Sequence, residues 1–155
     1  MSRAFVKEEE GGEAFEDLPD RPISPHPNFV TAEGLALMEA ELARLHEEHA
    51  AAQSTEDKIA LAKTSRDLRY WTARRASAQV VQPPKDSSEV HFGSTVTIER
   101  GDGRRQTFRI VGEDEADPVK GTLSYVSPLA QALTGKGIGE IVHVGGSDAE
   151  IVSIS

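Results

Sequence analysis

Residues 108–144, FRIVGEDEADPVKGTLSYVSPLAQALTGKGIGEIVHV, decide the fold of this chain. Much of the stretch alternates apolar and polar residues, which is typical of strands that bury one face. Two runs interrupt the alternation. GEDEAD predicts a turn between two strands, and SPLAQALTGK predicts one short helix over residues 128–134, stopped by Gly135 and Gly137. We expect a sheet with this helix packed against it.

The alternation extends to both sides of this stretch. Strands are predicted at residues 90–99, 106–111, 122–126, 140–144 and 149–154, with turns at GDG and GGSD. The preceding run VQPPKDSS has the prolines and small polar residues of a linker. We therefore predict an α+β protein whose C-terminal domain, residues 82–155, is an antiparallel sheet with one short helix.

Residues 31–81 have a helical period instead. Thr31 is a candidate N-cap, because its hydroxyl can accept a hydrogen bond from the first turn of a helix. Two heptad series follow, separated by polar residues 53–57: Leu35, Met38, Leu42, Leu45, His49 and Ala52 in the first, and Leu61, Thr64, Leu68, Trp71, Arg75 and Ala78 in the second. The two arms are predicted to fold back as an antiparallel coiled-coil hairpin. Since the two arms bury each other's apolar stripes, the hairpin needs no second copy of the chain, and a monomer is predicted.

Composition excludes several classes of function. The chain has no cysteine, which excludes disulfides, thiolate metal sites and a cysteine nucleophile. Only 5% of its residues are aromatic, which argues against a ring-lined pocket for small-molecule catalysis. The net charge of −9 disfavours non-specific attraction to nucleic acid. We predict no catalytic residue, no metal site and no intrinsic cofactor. No run is apolar enough for a signal or a membrane span, and a cytoplasmic protein is predicted.

Residues 1–30 combine an acidic run with the proline-rich RPISPHPN. Such a segment buries too little apolar surface to offset its ordering entropy, so a disordered or loosely docked tail is predicted. Two roles stay open. The tail is either solubilising, or an interaction or autoinhibitory tail that screens a basic surface.

A basic stripe marks the second arm. Its residues are Lys58, Lys63, Arg66, Arg69, Arg74 and Arg75, and Asp67 is the only acid of that arm beyond the tip. We predict that the stripe is a solvated face paired with the acids of the first arm, Glu39, Glu41, Glu47 and Glu48. The alternative is that its central part, Lys63, Arg66 and Arg69, meets nucleic acid or an acidic protein surface.

The order of helical hairpin, short linker and β-domain resembles the GreA/GreB family of bacterial transcription elongation factors. FGSTVTI, FRIVGEDEAD, SYVSPLAQALTGK and GEIVHV carry the resemblance, which runs over residues 31–155. It implies an FKBP-like fold for the C-terminal domain and RNA polymerase as the partner, bound at the rim of its secondary channel. It implies contact with nucleic acid only within the transcription complex. In the family the hairpin enters the channel, and acidic tip residues help to hold a magnesium ion while the polymerase cleaves backtracked RNA.

The resemblance also assigns roles to residues. The loop before the short helix looks like the family's polymerase-docking element, which gives Ser127, Pro128 and Leu129 that role. Leu133, four residues after Leu129, is expected to pack in the core. The acids of GEDEAD are expected to be solvated on a turn rather than to bind metal, since adjacent carboxylates diverge. They are Glu113, Asp114, Glu115 and Asp117.

The hairpin departs from the family at its tip. Cleavage-competent members have a motif of an aspartate, two residues, a glutamate and an asparagine, whereas this chain has AAQSTEDKIA, with Glu56 and Asp57 as its acids. Ser54 and Asp57 have the spacing of a capping box. The arms are also roughly ten residues shorter than in those members, which withdraws the tip by about 15 Å.

Three functions follow from these observations. We favour a non-enzymatic regulator that binds RNA polymerase without ordinary transcript-cleavage stimulation. A true cleavage cofactor would instead present Glu56 and Asp57 to magnesium shared with the polymerase. A peptidyl-prolyl isomerase would need an aromatic-lined pocket, for which the C-terminal domain offers Phe92, Phe108 and Tyr125.

Overall fold

The structure, a computed structural model, describes residues 18–155, so most of the predicted acidic tail lies outside the described residues. The chain divides into two compact units. The first contains Ala36–Ser77 together with the preceding segment up to Pro25, and the second contains His26–Leu35 and Ala78–Ser155. No helix in the described part of the chain is long and apolar enough to cross a membrane.

Two long helices, α1 (Ala32–Ser54) and α2 (Lys58–Ser77), form where the heptad series predict them. The start of α1 is fixed as expected, because the Thr31 hydroxyl accepts a hydrogen bond from the Gly34 N–H at 3.0 Å. The sequence contains no proline between residues 28 and 82, so nothing in that span interrupts a helical ladder except the tip.

The predicted seam is apolar along α1. Met38, Leu45 and Ala52 are all 5% exposed or less, and the heptad residues between them are half-buried. His49 Nδ1 lies 2.7 Å from the Thr64 hydroxyl, which joins two predicted seam positions. The last part of the α2 series was wrong. Arg75 is exposed and pairs with Glu39 at 3.1 Å. Arg74, which was predicted to be solvated, is buried instead, at 1% exposure, and Ala78 lies beyond the end of α2.

A short strand precedes α1. Strand β1 (Phe29–Val30) pairs in parallel with β2 (Gln79–Val80), which follows α2. Asn28 and Val30 are buried, at 5% and 1% exposure. The prediction that residues 28–30 belong to a disordered tail was therefore wrong. Their pairing partner lies far along the chain, and local composition carries no information about it.

The second unit contains a five-stranded sheet. Its strands are β3 (Thr95–Arg100), β4 (Arg105–Val111), β5 (Thr122–Ser124), β6 (Ile141–Val144) and β7 (Ser147–Ile154), in the order β5-β4-β3-β7-β6. Three pairs are antiparallel as predicted, but β5 runs parallel to β4. Parallel neighbours need a crossover, and residues 112–121 supply it with two 3₁₀ turns, Glu113–Glu115 and Pro118–Lys120. GEDEAD thus begins a crossover rather than a tight turn.

One short helix, α3 (Pro128–Leu133), packs on this sheet, which gives the α+β domain that was predicted. Its apolar face joins the core of the domain. The buried core residues are Val90, Val96, Ile98, Ile110, Leu123, Ala130, Leu133, Val142, Ala149, Ile151 and Ile154.

Candidate functional site

The predicted docking residues form a fixed turn at the start of α3. The Ser127 backbone is extended (φ −65°, ψ 151°), and its hydroxyl accepts a hydrogen bond from the Ala130 N–H at 3.3 Å. Ser127 N–H donates to the Ser124 carbonyl at 3.0 Å. Pro128 occupies the first helical position, where its missing N–H leaves no hydrogen bond unmade. Pro128 is exposed, so the turn presents a rigid apolar ring to solvent.

The residues that follow hold this turn on the sheet. Ala130 and Leu133 are fully buried, and Leu129 is half-buried against the core. The expectation that Leu133 packs in the core is confirmed. Because backbone and core fix the turn from both sides, the exposed surface of Ser127, Pro128 and Leu129 keeps one shape without a ligand.

The hairpin tip is built differently. The end of α1 has the two hydrogen bonds of a Schellman motif: Asp57 N–H donates to the Ala52 carbonyl at 3.0 Å, and Glu56 N–H donates to the Gln53 carbonyl at 3.3 Å. Glu56 takes the left-handed conformation that this motif requires, with φ +53°. Glycine is the usual residue at that position, and a glutamate there is strained.

The two tip acids have different local roles. Asp57 is the N-cap of α2, because its Oδ1 accepts from the Ala60 N–H at 3.1 Å. Ser54 is not part of a capping box, since its hydroxyl donates to the Ala50 carbonyl at 3.2 Å inside α1. Ser54, Glu56 and Asp57 are all exposed. Within residues 18–155, no group of three or more His, Asp or Glu side chains is arranged to hold a metal ion.

Several arginines of the basic stripe form ion pairs, but two of them pair with acids outside the first arm. Arg66 pairs with Asp67 of its own helix at 3.1 Å. Arg69 pairs with Asp20 at 2.5 Å. Arg75 makes an expected bridge to the first arm, through Glu39 at 3.1 Å. Glu41 and Glu48 instead flank Arg44 on α1, and the Arg44 hydrogen bond holds the pKa of Glu41 below its ordinary value. Lys63 is exposed near the tip.

Sequence reasoning missed one contact of the GEDEAD run. The Glu115 carboxylate accepts hydrogen bonds from the Thr31 N–H at 3.1 Å and from the Thr31 hydroxyl at 2.5 Å. A Cβ at Gly34 would lie 2.0 Å from Glu115 Oε2, so any other residue there would displace the carboxylate from this position. The expectation that all four acids are solvated was wrong for Glu115, for Glu113, whose Oε2 is buried, and for Asp117, which caps the second 3₁₀ turn. Glu115 caps the first turn of α1, where a negative charge is favourable.

A second acid, Glu33, also links the first turn of α1 to the sheet. Glu33 Oε2 lies 3.4 Å from Arg109 Nη2. Hydrogen bonding to its own backbone N–H, and then the charge of Arg109, lower the pKa of Glu33 from its ordinary value. The first turn of α1 is thus joined to β4 and to the crossover by carboxylates at two points.

The structure also brings Phe29 to two of the three aromatic residues named for the β-domain, Phe92 and Tyr125. Phe29 lies with its ring centroid 6.2 Å from that of Phe92 and 5.4 Å from that of Tyr125. The Tyr125 hydroxyl donates to the Pro27 carbonyl. The rings line a surface pocket of about 380 Å³. The rings also contact one another, with the Phe92 and Tyr125 centroids 5.7 Å apart and the rings edge to face.

Comparison with known proteins identifies relatives along most of the chain. Residues 84–155 match the family described as transcription elongation factor, GreA/GreB, C-term. A transcription elongation factor GreA from Methylobacterium nodulans is 35% identical over 150 residues, which cover 81% of this chain and 95% of the relative. A GreA from Desulfovibrio desulfuricans is 34% identical, with 94% of this chain and 90% of the relative covered. A GreB from Neisseria meningitidis is 38% identical over 63% of each chain.

Among solved structures, the GreA factor homolog 1 of Thermus thermophilus aligns over 84% of this chain and 99% of its own, at 17% identity and a TM-score of 0.40. At that score the alignment adds no argument to the sequence comparison.

Proposed function

The chain belongs to the GreA/GreB family of transcription elongation factors, and from this premise we propose that it is a monomeric, non-enzymatic regulator that binds RNA polymerase. The β-domain docks at the rim of the polymerase secondary channel. The hairpin modulates transcription without ordinary stimulation of transcript cleavage. Nucleic acid is met only within the transcription complex.

The turn at Ser127, Pro128 and Leu129 is the observation that carries docking. A small apolar surface that is rigid before binding loses little conformational freedom on association, so its contacts count almost fully toward affinity. Pro128 has these properties, because it is exposed and its backbone is set by the Ser127 cap.

The chemistry of the tip supports the second part of the proposal. Two-metal cleavage needs carboxylate oxygens that are free to approach a divalent ion at about 2.0 to 2.6 Å. One oxygen of Asp57 is committed to the Ala60 N–H, and Glu56 is held in a left-handed backbone conformation beside it. The motif that cleaving members carry is absent. The competing function is a true cleavage cofactor that shares magnesium held by the polymerase, since both acids are exposed.

A substitution at the turn tests docking. Pro128→Glu places a charge on the proposed contact, so polymerase affinity should fall about tenfold or more. Pro118→Glu is the matched control: Pro118 is exposed in the same domain and follows a capping residue, Asp117, whose side chain accepts from Val119 N–H. It should leave affinity unchanged. Equal losses for both variants, or none for either, would remove the turn from the interface.

A backtracked elongation complex tests the tip. With magnesium present, the wild-type protein should bind the complex and leave the transcript at full length, and the double variant Glu56→Ala/Asp57→Ala should behave alike. Shortening of the transcript that disappears in the double variant, at equal affinity, would establish the cleavage cofactor instead. The isomerase alternative has no support from the relatives above.

A further inference from the structure

The segment just before the second unit lies on the basic face of α2. Two of its groups engage the same guanidinium: Asp20 Oδ1 accepts from Arg69 Nε at 2.5 Å, and the Leu18 carbonyl accepts from Arg69 Nη2 at 3.0 Å. Both contacts lie within the first unit. Arg69, which the sequence placed in the stripe open to an anionic partner, is therefore occupied from within the chain.

The next residue of the segment makes complementary contacts. The Arg21 guanidinium carbon is 3.9 Å from the centroid of the Tyr70 ring and 5.9 Å from that of Trp71. Its Nη1 lies 3.4 Å from Asp67 Oδ1. The acid Asp20 thus pairs with the base Arg69, and the base Arg21, which follows it, pairs with the acid Asp67 and lies near two rings. The charges of the segment are therefore complementary to those of α2.

We propose that residues 18–21 are an autoinhibitory strap: they cover Arg69 and the Tyr70–Trp71 rings in the free protein, and they leave when an anionic partner takes Arg69. The strap face is defined as Asp67, Arg69, Tyr70 and Trp71. This inference goes beyond the proposed function and does not depend on docking by the β-domain.

The exposure of the contacting groups makes the strap displaceable. The Asp20 side chain is 73% exposed, that of Arg69 44% and that of Arg21 38%. Ion pairs at such exposure are weak and are screened by salt, and a cation–π contact near the surface adds a modest term. A partner that offers several phosphates can therefore displace a single aspartate from Arg69. If residues 18–21 were a permanent part of the fold, we would expect their charged groups or their backbone to be buried.

The chain offers a charge-neutral test. Asp20→Asn with Arg21→Gln removes one acid and one base, so the formal net charge stays at −9. The matched control is Glu39→Gln with Arg75→Gln, a second exposed pair of the hairpin that is 3.1 Å apart and does not touch the strap. Any change in anion binding that is specific to the first double variant therefore reports the strap and not overall charge.

Two measurements decide the proposal. Trp71 is the only tryptophan, so quenching of its fluorescence by neutral acrylamide reports whether Arg21 covers it. Quenching should rise in the strap variant and should rise in the wild type at high salt. Affinity for inorganic polyphosphate should increase about three- to tenfold in the strap variant, and Arg69→Gln in that background should abolish the gain.

Opposite results would overturn the strap. Unchanged quenching and unchanged polyphosphate affinity in the strap variant would mean that residues 18–21 do not occlude the face. An equal gain in the control pair, or a gain that survives Arg69→Gln, would assign the effect to general electrostatics. Neither measurement uses the polymerase, so failure here and failure of the proposed function are distinguishable.

Discussion

Two helices of this protein begin at the places where function was predicted, and each begins at a capped residue. Ser127 caps α3 through the Ala130 N–H, and Asp57 caps α2 through the Ala60 N–H, at 3.3 and 3.1 Å. The local chemistry is nearly the same. The surroundings differ: α3 buries Ala130 and Leu133 completely, whereas residues 53–59 around the tip are all exposed.

This difference in burial determines what fixes the conformation of the turn at Ser127 and of the hairpin tip. The proposed docking turn, Ser127 to Leu129, is followed directly by residues that are buried in the core of its domain, Ala130 and Leu133. The tip has no such core beneath residues 53–59, and it is held by local hydrogen bonds such as the Schellman pair and the Asp57 cap, which solvent can replace.

The largest expected effect separates the two regions by stability. Leu133→Ala should lower the free energy of unfolding of the β-domain by about 2 to 5 kcal/mol, because it opens a cavity under the docking turn. Urea titrations followed by amide resonances of the sheet measure this loss. Leu37→Ala is the control: Leu37 is 59% exposed on α1, and its loss should stay within about 0.5 kcal/mol. Equal effects would mean that the turn is not anchored by the core.

A smaller effect tests the cap at the tip. Asp57→Ala should destabilise the start of α2 by about 1 kcal/mol, because the Ala60 N–H loses its partner. Hydrogen exchange of the first-turn amides of α2 is the measurement. Asp57→Asn keeps the accepting oxygen and should restore most of the protection. If Asn fails to do so, the negative charge rather than the hydrogen bond is what the tip requires.

Much of the fold follows from local patterns in the sequence. Heptad spacing predicts both arms, alternation predicts most of the sheet, and Ser127 with Pro128 predicts the start of α3. These features depend on residues a few positions apart, where spacing determines which side chains share a face.

The features that sequence reasoning missed are contacts between distant residues. Strand β1 exists because Phe29–Val30 meets Gln79–Val80, and the crossover acid Glu115 caps Thr31. Neither partner is marked by a motif. Gly34 is the one local signal of the Glu115 contact. Glycine disfavours the helical conformation, so a glycine in the first turn of a helix indicates that another group approaches the backbone there. The Schellman end of α1 was also hidden, since a glutamate occupies the glycine position.

That glutamate gives the smallest effect and the sharpest test of the contrast. Left-handed backbone costs an L-residue roughly 1 to 2 kcal/mol, whereas glycine adopts it freely but loses about 0.5 to 1 kcal/mol more conformational entropy on folding. Glu56→Gly should therefore stabilise the hairpin by about 0.5 kcal/mol, measured by hydrogen exchange at the end of α1. Glu47→Gly, the same change at an exposed right-handed position of α1, should destabilise it by about 1 kcal/mol.

The activity of Glu56→Gly then separates two reasons for keeping a strained residue. If the variant is more stable and modulates transcription as the wild type does, the tip is only a connection, and its side chain carries no function. If it is more stable but loses its effect on a polymerase to which it still binds, the Glu56 carboxylate acts at the tip and the strain is retained for that purpose. The tip would then have a function of its own, and the contrast between a functional turn at Ser127 to Leu129 and a purely structural hairpin tip would be wrong.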